Sequence, residues 1–355
     1  MYLFNLIAAG VFPYFGRPTT ALTWHYFPSL YAARSTTSPD FAPTFPPTAD
    51  GGAVRQLLAN TTFIKNVHVR PTGGLLFSSV STNSLYALDP TAAVPAPIIV
   101  ANMSYATGLT GIATLNDGRS KSLFAVSGGI HFSMGFETGS CAVYVVSVPR
   151  NGNIGEVTDR IPVNGTLNGM DSLPIFPWIV LTADSVGGQI FRVNTRSRKV
   201  DVIVSDPAML GPGGSALPIE LNGLKVFSEY VYFTNSAQGF FGRMRIDIFG
   251  SKAGEVEILA KSSIDGMSNI FDEFAIDAAG NAYISMHQYA FMKITPSGKQ
   301  TLFYGSVGEY TTLYQPTAAA VSKKNKHILY LATGGITIDG LKHGGQLYEV
   351  RISIP

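Results

Sequence analysis

A single cysteine, Cys141, stands among 355 residues, so no disulfide can form within the chain. It lies in the apolar run Cys141-Ala-Val-Tyr-Val-Val, which reads as a buried structural thiol, and without a nearby histidine to act as base no nucleophilic role is expected. Charge is also scarce. Lys, Arg, Asp and Glu make up 14% of the chain and the net charge is +2, with no basic stripe of the kind that binds nucleic acid. The densest basic run, Lys323, Lys324 and Lys326, reads as a solvated hairpin turn. Long polar helical runs are missing, and no apolar stretch is long enough to span a bilayer as a helix. There is no Gly-x-Ser-x-Gly elbow for a serine hydrolase. The glycine-rich pieces sit between strand-like segments and never open a helix, which argues against dinucleotide binding; no cofactor is expected.

What is present favours β-structure. Apolar residues make up 46% of the chain, with 37 Gly, 16 Tyr and 22 Phe, a balance suited to many short strands joined by tight turns. The N-terminus differs. Tyr2 to Phe15 is apolar, lacks a basic leader and is followed by small residues near Thr19–Ala21. Residues 1–22 are therefore expected to be a signal peptide, the other reading being an arm packed on the domain. The proline-punctuated stretch 23–52, with Pro28, Pro39, Pro43, Pro46 and Pro47, reads as a strap or linker. A signal implies the secretory pathway, with secretion or a vacuolar or other lumenal compartment as the destination. Sequons at Asn60, Asn102 and Asn164 are candidate glycosylation sites.

From residue 53 to 355 one pattern recurs every 45–55 residues or so, the spacing of propeller blades. The six units begin at Asn66-Val-His-Val, Leu109-Thr-Gly-Ile, Leu167-Asn-Gly-Met, Leu221-Asn-Gly-Leu, Asp272-Glu-Phe-Ala and Gln315-Pro-Thr-Ala. Each continues into an apolar strand ending in Ser, Thr or Asn, such as Tyr230-Val-Tyr-Phe-Thr-Asn-Ser, and then a Tyr/Phe-x-Val/Ile strand. No unit carries a Trp-Asp dipeptide. The predicted fold is all-β, a six-bladed β-propeller, its ring closed by pairing Val54–Leu58 with Leu347–Ile352.

The fourth and fifth units resemble the SMP-30/gluconolactonase/strictosidine-synthase-like propellers. The carriers are Asn222-Gly-Leu before Tyr232-Phe-Thr-Asn-Ser, and Asp272-x-x-x-x-Asp277-x-x-Gly280-Asn281-x-Tyr283. Lys65-Asn66-Val-x-Val-Arg70 and the paired Asn168-Gly-Met and Asn222-Gly-Leu units look most like the fungal branch. The resemblance implies a site at the channel mouth and, in the lactonases, a divalent metal held by Glu, Asn and Asp. The Asn falls on Asn222 and the Asp on Asp272, but the Glu falls near Lys65. An ammonium where a hard cation needs a carboxylate reverses the field, so no metal is expected. Some members of the fungal branch are hetero-Diels–Alder cyclases that join a tropolone o-quinone methide to a humulene-type olefin.

That reaction class sets the candidate residues. Lys65 and Lys225, both expected at channel-facing strand starts, are candidate donors to the quinone-methide oxygen. His287 is a candidate general acid for expelling water from a hydroxymethyl precursor. Asn168, Asp184, Asn222, Phe240, Phe241, Asp272, Tyr289 and Gln315 are candidate substrate contacts, with Met170, Phe132, Met134 and Phe136 as further apolar walls. The expected partners are small apolar molecules. Blander readings stand beside these: Asn168 and Asn222 as turn residues before Gly, Asp272 as a tie between blades, Lys225 as a solvated side chain, His131 and His287 as loop residues, and Asp277 as a hairpin brace. A metal-dependent lactonase and a non-catalytic binding propeller are the alternative functions. Asp171, Asp184 and Asp272 could also converge as carboxylates for glycoside cleavage, although nothing in their spacing favours it.

Overall fold

The computed structural model describes residues 47–48 and 51–352, apart from 133–134, 212–218, 263–269, 288, 307–311 and 339. The expected signal segment and nearly all of the strap lie outside the described residues, as does Met134. Within them the chain forms six four-stranded antiparallel sheets. Blade 1 runs from the inner strand Asn66–Val69 to the outer strand Ile98–Asn102, and blade 2 from Gly108–Asp117 to Glu156–Pro162. Blades 3, 4 and 5 run from Leu167–Ser172, Leu221–Phe227 and Phe271–Ile276 to Val200–Ser205, Lys252–Lys261 and Gln300–Gly305. Blade 6 starts at Pro316–Val321 and takes its outer strand from the other end of the domain, Val54–Thr61. The expected closure is present: Val54 pairs with Val350 and Leu58 with Leu347. This is a six-bladed β-propeller.

Its apolar residues form six layers, one between each pair of neighbouring blades. A sheet buried on both faces needs apolar residues at consecutive positions, which is why strands such as Ile179–Asp184 and Tyr230–Asn235 read as nearly unbroken apolar runs. Hydroxyls at the ends of the second strands tie three of the blades to the next. Ser78 donates to the Thr110 carbonyl (2.5 Å), Ser185 to that of Leu221 (2.6 Å) and Ser236 to that of Phe271 (2.7 Å). In blades 1, 3 and 4 the polar residue at the end of the apolar strand therefore makes an inter-blade bond, whereas Ser285 of blade 5 bonds the Glu273 carbonyl of its own blade.

The repeated glycine has its own cause. In blades 2 to 5 the inner strand carries an irregular register near its start, between Leu109 and Ile112, Leu167 and Met170, Leu221 and Leu224, and Phe271 and Phe274. A bulge of this kind re-aims side chains. Gly111, Gly169 and Gly223 lie within the first three of these irregular steps and press against the next inner strand. A Cβ on Gly169 would lie 2.4 Å from the Leu224 nitrogen, and one on Gly111 2.4 Å from the Asn168 carbonyl oxygen. Asn168-Gly and Asn222-Gly are thus close-approach points that also turn the asparagines inward. In blade 5 the corresponding position is Glu273, so both Asp272 and Glu273 enter the channel.

Candidate functional site

At the end where the inner strands begin, Lys65 reaches from blade 1 across the channel to blades 4 and 5. Its ammonium donates to Asn222 Oδ1 at 3.0 Å and to Asp272 Oδ1 at 2.5 Å. The other Asp272 oxygen, Oδ2, meets His287 Nε2 at 3.2 Å. Lys65, Asn222 and Asp272 are 8%, 2% and 3% exposed, so the pair works in a setting where screening is weak. Burial alone would raise the Asp272 carboxyl, but the Lys65 charge and the bonds from His287 and Lys65 outweigh it and hold that carboxyl below its ordinary value. With Asp272 ionised, His287 Nε2 is the donor in their bond. The carboxylate fixes the tautomer and leaves Nδ1 for other work.

A second tier lies directly below. Glu273, 1% exposed, accepts from Asn66 Nδ2 at 3.0 Å, from Lys225 Nζ at 2.7 Å and from the Leu224 amide at 3.2 Å. Lys225 is therefore not at the strand start, where it was expected as a mouth donor. It sits four residues further along the inner strand, paired to Glu273 and turned toward the opposite end of the channel. Glu273 itself was not singled out from the sequence. The available signal was the alignment of repeats: Asn168-Gly169, Asn222-Gly223 and Asp272-Glu273 occupy the same irregular step, and only the last carries a side chain there.

The remaining candidates scatter. Asn168 bonds Ser185 Oγ at 3.0 Å in blade 3 and does not join the Lys65 cluster. Asp184 braces its own turn, accepting from the amides of Thr166 (2.8 Å) and Val186 (3.3 Å) and from Gln189 Nε2 (2.9 Å). Asp171 is held by the Ser172 and Val226 amides, so Asp171, Asp184 and Asp272 do not converge. Phe240 and Phe241, expected as substrate contacts, are instead core residues, 0% and 2% exposed. They begin the third strand of blade 4 and point to opposite faces of a doubly buried sheet. Phe240 packs edge-on to Phe233 on the blade 3 side, and Phe241 edge-on to Phe274 on the blade 5 side. Met170 is likewise core, at 0%. Tyr289 and Phe136 are buried, whereas Phe132 is 59% exposed. Gln315 precedes the blade 6 inner strand with φ 59°. Asn60, Asn102 and Asn164 are all exposed. Cys141 is fully buried, and burial raises its thiol to about 11. His131 packs on Phe136, and burial lowers its pKa.

No family model matches the chain, and no curated protein does. Solved structures do. A luciferin-regenerating enzyme superposes with a TM-score of 0.60 at 16% identity, covering 85% of this chain and 95% of that one. A calcium-binding regucalcin from Agrobacterium tumefaciens C58 gives 0.57 at 16%, covering 88% and 98%. The chain has the fold of the SMP-30/regucalcin-type propellers. A putative gluconolactonase adds 0.55 at 13%, over 88% and 96%. At such identities the likeness fixes the fold, and function has to be argued from the site.

A regucalcin-like fold raises the question of a divalent cation, and the donor set answers it. Two of the oxygens that a metal at this mouth would take, on Asn222 and Asp272, are held by the Lys65 ammonium. A fixed cation already stands where a hard ion would need anionic oxygen. The residues do not fit a metal here.

Proposed function

We propose that this chain is an enzyme that works without a resident metal, at the end of the channel where the inner strands begin, on small apolar substrates whose reaction develops negative charge on an oxygen. The observation that carries this reading is the Lys65 ammonium held across the channel by Asn222 and Asp272. A buried ammonium fixed by two partners is a preorganised donor, and preorganised donors stabilise charge that develops in the transition state. His287, oriented by Asp272, is the proton carrier. Protonated, it can hand its proton to a departing hydroxyl, which leaves as water; neutral, it can take one up.

The specific reaction we propose is the hetero-Diels–Alder union of a tropolone o-quinone methide with a humulene-type olefin. The roles follow from the chemistry. His287 assists loss of water from a hydroxymethyl-tropolone, and Lys65 bonds the quinone-methide oxygen as it gains negative character. Holding the two partners together removes translational and rotational freedom before the barrier. Lys225, committed to Glu273, has no part in this scheme.

The test is to incubate the protein with a hydroxymethyl-tropolone and a humulene-type alcohol, with and without EDTA, and to resolve the adducts by chiral chromatography. Enhancement of one stereoisomer, unchanged by EDTA and reduced about 100-fold in His287→Gln, is the expected result. An adduct profile identical to the protein-free control overturns the reaction. Lactone hydrolysis that depends on added calcium or zinc would overturn the metal-free site as well.

A further inference from the structure

The channel has a second open end that the proposed reaction does not use. Below the Glu273 tier the inner strands of all six blades surround a cavity of about 360 Å³, within the range of small-molecule sites. Small side chains leave it room: blades 5 and 6 contribute Ala275, Ala319 and Ala320 to its wall. The wall is mainly apolar, while three ammonium groups, Lys225, Lys323 and Lys326, lie in the lining together with His68.

The charges at this end are unevenly satisfied. Asp171 accepts from the Ser172 and Val226 amides. Asp277 is fully engaged by the amides of Ala279 and Asn281, by Asn281 Nδ2 and by the Tyr283 hydroxyl. Glu273, above, holds Lys225. By contrast, among the described residues neither Lys323 nor Lys326 has a carboxylate partner within 4 Å, and both are exposed. His68 lies between, bonded to Thr114 Oγ1 at 2.8 Å. Burial first, then the charges of Lys323 and Lys225, push its pKa down to about 3. The imidazole is thus neutral and faces a positive field.

We propose that this cavity, at the end of the channel opposite the Lys65 site, binds a small organic carboxylate with an apolar body, its carboxylate between Lys323 and Lys326 and its body against the alanine-lined wall. The apolar lining selects against inorganic anions, and the lysines select against neutral molecules. The tiers of Lys65 and Glu273 separate this site from the mouth, so it stands whether or not the proposed reaction holds.

Octanoate is the probe, titrated calorimetrically into the full chain, with octanol and inorganic phosphate as the apolar-only and charge-only comparisons. One octanoate per chain is expected to bind, with octanol and phosphate each at least tenfold weaker. The surface variant Lys323→Gln/Lys326→Gln is expected to weaken octanoate at least tenfold and to retain the wild-type thermal midpoint. In NMR titrations octanoate is expected to raise the His68 pKa, because a bound anion offsets the lysine charges. Unchanged octanoate affinity in the double variant, phosphate binding as tightly as octanoate, or loss of binding only in His287→Gln would each overturn the proposal. The last result would place octanoate at the mouth.

Discussion

The two ends of the channel contain similar residue types and treat them in opposite ways. Where the inner strands begin, Lys65 is buried and its charge is matched by Asp272 at 2.5 Å. Where they end, Lys323 and Lys326 are exposed and, among the described residues, unmatched by any carboxylate. Histidine follows the same division. His287 is tied to a carboxylate, whereas His68 is tied to a hydroxyl, and burial and then the charges of Lys323 and Lys225 lower its pKa. Reach to the blade 5 carboxylates decides which case a lysine falls in. The irregular step at the start of the blade 5 inner strand turns two consecutive carboxylates inward, and these collect the cations within reach.

The largest effect that would break this contrast is removal of the buried cation. Lys65→Met leaves Asp272 buried without its main partner and should cost about 3–5 kcal/mol, measured by urea denaturation; Lys65→Met/Asp272→Asn should recover part of that loss. Lys65→Glu tests the site from the other side. It places a carboxylate beside Asp272 and should be destabilised in EDTA, with calcium restoring thermal stability by supplying the missing positive charge. If calcium leaves the midpoint of that variant unchanged, the mouth lacks the geometry of a cation site even with its charge corrected.

The glycines at the irregular steps come next. Gly169→Ala puts a Cβ 2.4 Å from the Leu224 nitrogen, and backbone on both sides should make it cost about 2–4 kcal/mol. Phe241→Ala should cost about 3–5 kcal/mol in stability with the KM of the proposed reaction little changed in the surviving folded protein, as expected of a core residue. A selective rise in KM without loss of stability would return it to the substrate wall.

Acid behaviour separates the ends more finely. The folded-state pKa of His68 lies near 3, against about 6.5 in an unfolded chain. Between those values the unfolded state binds the extra proton, so stability falls as pH drops from about 6.5 toward 3, by up to about 1.4 kcal/mol per pH unit. His68→Gln should flatten this slope between pH 6 and 4 in denaturation midpoints. Asp272, whose pKa is lowered, contributes in a lower window: its stability is present above about pH 4 and is lost as pH falls through the folded value. The smallest effect is expected from Lys323→Gln/Lys326→Gln, within about 0.5 kcal/mol in the absence of ligand.

Much of the fold could be read from the residues because the repeat is a local signal. Spacing, alternation and the closing Ser or Thr of each apolar strand are set by what a four-stranded blade must bury and bond, and they led to six blades and to closure of the ring by Val54–Leu58. Lys65, Asn222 and Asp272 could be found because each opens an inner strand, so the ring brings them together. Phe240 and Phe241 misled because adjacent aromatics between glycines look exposed in sequence, and only a neighbouring blade on each face shows that both are core.

By itself, then, the sequence determined a propeller of six repeats whose strand starts meet around an axis, and it placed Lys65 where the resemblance to the lactonases implies a glutamate. Only the tertiary structure decided which way the charged side chains turn. Lys225 lies four residues into the blade 4 inner strand and Lys65 just before that of blade 1, so one meets Glu273 and the other Asp272. The contacts that Lys65 and Asn66 make across the channel join residues 157 to 207 positions apart, and no local pattern in a chain encodes the partner that ring closure brings across a channel.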